Sequence, residues 1–234
     1  MPAPARTALA IVLVTLGGVL GGFLSYRRTH SPAAPASSTQ LPDAASVTEN
    51  GEQQAGAAGR PIPDTVPDLK LPDLAGQLRS LRDYRGHPLI INFWATWCAP
   101  CRREMPLLQQ LRHSYRADGL QVVGIAVDFR SAVADYVRRQ PVDYPLLIGE
   151  DAGLAAAEQF GMQTVLPFSV FADAGGHIVA VKLGELHPDE AAAILAAMRD
   201  LAAGRASLAD THAGITQRLR ELAVERARSG ATDR

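Results

Sequence analysis

The apolar positions of this chain fall into three regimes along its 234 residues. The first is continuous. Ala8 to Leu24 is 17 residues without a charge, entered after Arg6 and left through Ser25-Tyr26-Arg27-Arg28. That run is short for a membrane-spanning helix and slightly long for the core of a signal peptide. Tyr26 suits a membrane interface, and a small-x-small cleavage pattern, Ala34-Pro35-Ala36, lies well past the apolar run and beyond both arginines. Residues 1–28 are therefore read as an uncleaved anchor, with a cleaved export signal as the alternative. The second regime, 29–60, is rich in Ala, Ser, Pro, Gly and Gln with almost no large apolar side chains. Such a segment buries too little surface to offset its ordering entropy and is expected to be a disordered linker.

The third regime, 61–204, is periodic. Asp68 to Leu74 and Gln77 to Leu81 alternate apolar and polar positions around Ala75-Gly76, the pattern of a short hairpin. Leu89-Ile90-Ile91-Asn92-Phe93 is a continuous apolar run, as a buried central strand requires. From Ala99 to Ala117, Met105, Leu108, Leu111 and Tyr115 recur at helical spacing, and Asp118-Gly119 stops them. Leu120–Val127 and Leu146–Ile148 read as strands, and Ser131–Arg139 and Asp151–Phe160 as helices, the latter closed by Gly161. Phe168–Ala172 and His177–Leu183 form a hairpin around Asp173-Ala174-Gly175-Gly176, and Pro188 opens a helix that Gly204 ends. Alternating strands and helices that finish in a hairpin and a helix predict a mixed sheet covered on both faces. Beyond it, 205–234 carries a second amphipathic helix with Leu208, Ile215, Leu219 and Leu222 on one side, expected to dock on the domain or to fray, with partner binding as the alternative.

Composition removes several function classes. A net charge of −1 gives no reason to expect nucleic acid as a partner. No phosphate-binding glycine loop, Ser/His/Asp set or calcium loop is present. The chain has two cysteines, Cys98 and Cys101, in the run Trp97-Cys98-Ala99-Pro100-Cys101, at the point where a strand turns into a helix. No histidine lies at i, i+3 or i+4 from another or from either cysteine, so no zinc set is visible, and Arg102 stands where covalent haem attachment would need His. No cofactor or metal is expected. The pair reads as a redox dithiol.

The buried strand followed by W-C-x-x-C, the Glu104-Met105-Pro106 after it, and the late Leu166-Pro167-Phe168-Ser169-Val170-Phe171 together resemble the thioredoxin fold. More narrowly, the chain resembles membrane-anchored thiol–disulfide oxidoreductases of the TlpA/ResA kind. The resemblance implies an α/β thioredoxin fold with an N-terminal β-hairpin extension and one inserted helix. It implies an enzyme that exchanges disulfides. Cys98, at the exposed N-terminus of the helix, would be the attacking thiolate, favoured by the free N–H groups and the helix dipole. Cys101, one turn deeper, would resolve the mixed disulfide. Pro167 matches the cis proline of the fold, and Leu166 before it would offer its backbone to the substrate. Trp97 and Pro100 complete the expected substrate surface. Ala99 and Pro100 contribute neither a charge nor an N–H from the proline, which favours a reductant.

Glu104 follows Cys101 by three residues and shares its helix face. The resembling family places an acid–base carboxylate here, whereas thioredoxins proper use a strand Asp where this chain has Asn92. The alternative for Glu104 is a first-turn acid favoured by the helix dipole. A peroxidase is disfavoured because its Thr-x-x-Cys arrangement is absent. The expected location is the periplasmic face of a bacterial inner membrane, or the periplasm itself after cleavage. The expected partners are exported proteins with disulfides and a membrane electron donor of the DsbD/CcdA type. Cytochrome c maturation, reduction of a copper-site protein and a thiol-based binding or chaperone role stand as alternatives.

Overall fold

The computed structural model describes residues 60–163 and 165–232, without the side chains of 230–232. The expected anchor and nearly all of the linker lie outside the described residues. Among these, no helix is long and apolar enough to cross a membrane.

The fold is built on a five-stranded sheet. A hairpin of β1 (Lys70–Pro72) and β2 (Leu78–Ser80) precedes it. The chain then runs β3 (Leu89–Trp94), α1 (Ala99–Ser114), β4 (Gln121–Ala126), α2 (Arg130–Arg139), β5 (Leu146–Ile148), α3 (Asp151–Gln159), β6 (Phe168–Ala172), β7 (Ile178–Leu183), α4 (Pro188–Ala202) and α5 (Leu208–Thr232). The strand order is β5-β4-β3-β6-β7, with β3, β4 and β5 parallel and β6 and β7 antiparallel to their neighbours. This is the thioredoxin fold, with α2 and β5 intervening between β4 and α3.

Strand alternation divides the core. Along β3, Ile90 and Trp94 belong to the apolar cluster formed with α1, α2, α4 and α5. Leu89, Ile91 and Phe93 face the other cluster, under α3 and the hairpin. Phe93 stacks on Phe168 at 4.2 Å and meets Phe160 edge-on at 5.5 Å. The alternation places Asn92 on the α1 side, fully buried. That position brings its amide to the Glu104 carboxylate on α1.

The helix expected to reach Ala117 ends at Ser114. A 3-10 turn over 116–118 follows, and Gly119, at φ 78°, turns the chain into β4. Gly161 closes α3 as expected. Its φ is 78°, and a Cβ there would stand 2.5 Å from the Arg60 carbonyl oxygen, so only glycine fits. The last helix docks as its pattern predicts. Ile215 and Leu222 are buried, and Arg226 pairs with Asp189 at 3.0 Å and with the buried Glu190 at 3.2 Å on α4.

Gly124 in β4 is a tight point. A Cβ there would lie 2.7 Å from Leu146 Cδ2 and 3.1 Å from Trp94 Nε1 and from Tyr144 Cε2. Gly124→Ala is expected to lower stability by about 1–3 kcal/mol through overpacking, read as a lower urea midpoint at unchanged slope. An unchanged midpoint would show that the Leu146 side chain absorbs the methyl group freely.

Candidate active site

The C-terminal ends of β3 and β4 open at one edge of the sheet, where parallel strands commonly present their chemistry. Trp94 leads there into Ala95-Thr96-Trp97 and then Cys98, which is the N-cap of α1. Cys98 and Cys101 are disulfide-bonded, with Cα atoms 5.3 Å apart. The Cys101 N–H donates to Cys98 Sγ at 3.3 Å. Pro100, in the first turn of α1, has no N–H to give, so this bond supplies a backbone donor to the sulfur.

Cys101 is fully buried and Cys98 is only 5% exposed. The sequence expectation of an exposed Cys98 is therefore corrected: it is the outer of the two sulfurs, but the preceding loop is folded tightly around it. The Thr96 N–H and hydroxyl both donate to Asp128 Oδ2, at 2.9 and 2.6 Å. Arg102 donates to the Thr96 carbonyl oxygen at 2.7 Å. The neighbouring Trp97 takes the solvent position, at 68% exposure.

The register brings a second element to the same edge. Phe93 pairs with Phe168, so Pro167 reaches β6 at the level of Trp94. The Leu166–Pro167 peptide bond is cis. Pro167 is buried, Leu166 is half-buried against both core clusters, and Val165 before them is exposed. Trp94 and Phe93 are wholly buried and belong to the core.

Behind the disulfide lies a polar set inside an apolar core. Glu104, one helical turn after Cys101, is 2% exposed. Asn92 Nδ2 donates to Glu104 Oε1 at 2.7 Å and to Ser169 Oγ at 3.1 Å, while Leu186 N–H donates to Glu104 Oε2 at 2.6 Å. Burial pushes the Glu104 carboxyl up, to about 7, against the opposing pull of the Leu186 and Asn92 hydrogen bonds. Glu185 adds to the rise and Lys182 opposes it. Glu104 is thus not a solvated first-turn acid held by the helix dipole.

Four residues take supporting roles that the sequence alone does not announce. Asn92, which cannot take a proton, is the donor that holds Glu104. Leu186 reaches Glu104 from the turn before α4, and Ser169, on β6, accepts from Asn92. Asp128, at the C-terminal end of β4, braces the cysteine loop. A carboxylate ending a parallel strand beside the W-C-x-x-C strand was the available signal for it.

The AhpC/TSA family profile matches residues 62–181. The thiol–disulfide oxidoreductase ResA of Geobacillus kaustophilus (strain HTA426) is 31% identical over 140 residues, covering 59% of this chain and 76% of that protein. The thioredoxin-like protein YneN of Bacillus subtilis (strain 168) is 43% identical over 89 residues, 36% of this chain and 51% of that protein. Among solved structures, one described as a thiol:disulfide interchange protein DsbE from Chlorobium tepidum aligns with TM-score 0.50 and 26% identity over 54% of this chain and 87% of that one. A Neisseria meningitidis protein described as a thioredoxin aligns with TM-score 0.51 and 30% identity, over 58% and 89%.

Proposed function

This chain belongs to the AhpC/TSA family and is a thiol–disulfide oxidoreductase of thioredoxin fold, and on that premise we propose that it reduces disulfides of exported proteins at the periplasmic face of an inner membrane. The observation that carries the chemistry is the pairing of an outer and an inner sulfur at a helix N-terminus, with a buried carboxyl of near-neutral pKa one turn below. In the reduced enzyme, the Cys98 thiolate attacks one sulfur of a substrate disulfide. A mixed disulfide forms and one substrate thiolate leaves. Glu104 accepts the Cys101 proton, and the Cys101 thiolate then attacks Cys98 Sγ. That step closes the Cys98–Cys101 disulfide and releases the second substrate thiolate; one departing thiolate takes the proton held by Glu104, and the other takes from solvent the proton that Cys98 gave up on ionising. Two electrons pass from the dithiol to the substrate.

Trp97, Pro100, Leu166 and Pro167 form the surface on which the substrate chain lies, with the Leu166 backbone as its edge partner. Asn92 serves Glu104 in either charge state. Its Nδ2 donates to the carboxylate as observed, and its Oδ1, which has no partner in this arrangement, accepts from the protonated acid after a half-turn of the amide. AhpC/TSA membership does not carry peroxide chemistry here, since Ala95 rather than Thr stands three residues before Cys98.

Residues 1–28 act as the anchor and 29–60 as the tether that holds the domain outside the cytosol, where a membrane donor of the DsbD/CcdA type re-reduces the pair. A narrower variant of this reading takes an apocytochrome c, or a copper-site protein before metallation, as the exported substrate. Two measurements test this reading. A reporter active only after export, fused behind residue 60, should be active; an inactive reporter rejects the location. Equilibration with glutathione buffers should place the dithiol nearer the thioredoxin potential, roughly −270 mV, than the DsbA potential, roughly −120 mV. A value at the DsbA end would make the protein an oxidase.

A further inference from the structure

Beside the disulfide, on the flank formed by α2, a groove of about 630 Å3 runs from Thr96 and Trp97 past Arg102 and Tyr136 to Arg139 and Gln140. We infer that this groove binds an acidic stretch of the polypeptide whose disulfide is exchanged, so that the enzyme selects cysteines flanked by Asp or Glu. The inference rests on the reading of Cys98 as the attacking sulfur, because that is what brings a polypeptide to this edge.

The charges of the groove favour an anion. Arg102 follows Cys98 by four residues on the same helix face, and its bond to the Thr96 carbonyl oxygen fixes the guanidinium in place. Its remaining N–H groups are left for a ligand, in the planar fork that suits a carboxylate. Arg139, in the last turn of α2, is exposed and forms no ion pair among the described residues. The acids nearby are already engaged. Asp135 in the groove pairs with Arg138 at 2.5 Å, and Asp128 spends both oxygens on Thr96 and on the Phe129 N–H. Two guanidinium groups therefore face the groove against a single carboxylate, Asp135, which is already paired through Oδ1 with Arg138.

Apolar surface lies at the groove in Trp97 and one helical turn before its residue Ala132 in Phe129. Trp97 and Phe129 are large apolar side chains at 68% and 59% exposure, one just before the attacking sulfur and the other just before α2. An extended chain advances about 3.3 Å per residue. Acidic side chains that flank the reacting cysteine in sequence thus lie along the groove that the arginines line. The competing account of Arg139 is electrostatic support for the C-terminus of α2. That account predicts lower stability on replacement and no change in substrate preference.

The test uses the full chain and three disulfide peptides that differ only in whether the residues flanking the cysteine are acidic, neutral or basic. At low salt, kcat/KM should favour the acidic peptide over the basic one by roughly tenfold, mainly through KM, and the preference should shrink at high salt. Arg139→Glu should reverse it, with Arg139→Ala as the second variant should the first fail to fold. Binding of the same peptides with serine in place of cysteine, to the oxidised protein, separates the groove from the chemistry. Acid-dependent binding without turnover would reject Cys98 as nucleophile and keep the groove. Turnover of all three peptides within twofold, or an acidic preference intact in Arg139→Glu, would overturn the groove and leave the oxidoreductase reading standing.

Discussion

Cys98→Ser is expected to abolish turnover of disulfide substrates, a loss of at least about a thousandfold, because the serine hydroxyl is not a thiolate nucleophile at neutral pH. The buried Cys101 cannot substitute for it, having no exposed surface from which to meet a substrate. The fold should survive. A disulfide closing so small a loop contributes about 2 kcal/mol by the chain-entropy relation, and the core around it is otherwise intact. Insulin reduction measured beside a urea unfolding curve separates the two effects. Retained turnover, or loss of turnover only together with unfolding, would remove Cys98 from the attacking position.

The second large effect belongs to Glu104. Burial raises its pKa to about 7, from 4.5 as its ordinary value. Between those values the folded chain holds a proton that the unfolded chain has released, so the stability Glu104 supports is present below about pH 4.5 and is lost as pH rises through 7. That difference amounts to about 3 kcal/mol, taken from the shift itself. In the oxidised protein, where the thiols do not titrate, the unfolding free energy should therefore fall across this window, and in Glu104→Gln that fall should be absent. The same substitution should slow resolution by Cys101 by about a hundredfold and remove the near-neutral inflection from its pH profile. A variant that keeps both the stability slope and the inflection would reduce Glu104 to a structural hydrogen-bond acceptor.

What the sequence showed and what it hid divide along physical lines. Strand and helix order was legible because the periods of two and 3.6 residues are written directly into runs such as Leu89–Phe93 and Met105–Tyr115. The dithiol was legible because two cysteines three residues apart leave no other sulfur chemistry available. The depth of Cys98 was not, because a helix start implies solvent by default; its burial comes from the bonds of Asp128 and Arg102 to Thr96, which join residues 32 and 6 positions apart. The environment of Glu104 was half legible. Helical spacing put it on the face of Cys101, but its proton affinity depends on burial and on the bonds from Leu186 and Asn92, and only the pairing of β3 with β6, which sets Ser169 against Asn92, and the packing of the turn before α4 assemble that environment. A site composed by register is invisible to any one segment.

The order of attack is most directly tested by trapping. Cys101→Ser, reduced and mixed with a disulfide peptide, should accumulate a stable mixed disulfide in which mass spectrometry finds the peptide on Cys98, one per chain. The reciprocal variant Cys98→Ser should form no adduct on the same timescale. An adduct through Cys101 in that variant, formed as fast as the first, would contradict the assignment of Cys98 as the sulfur that attacks and Cys101 as the one that resolves.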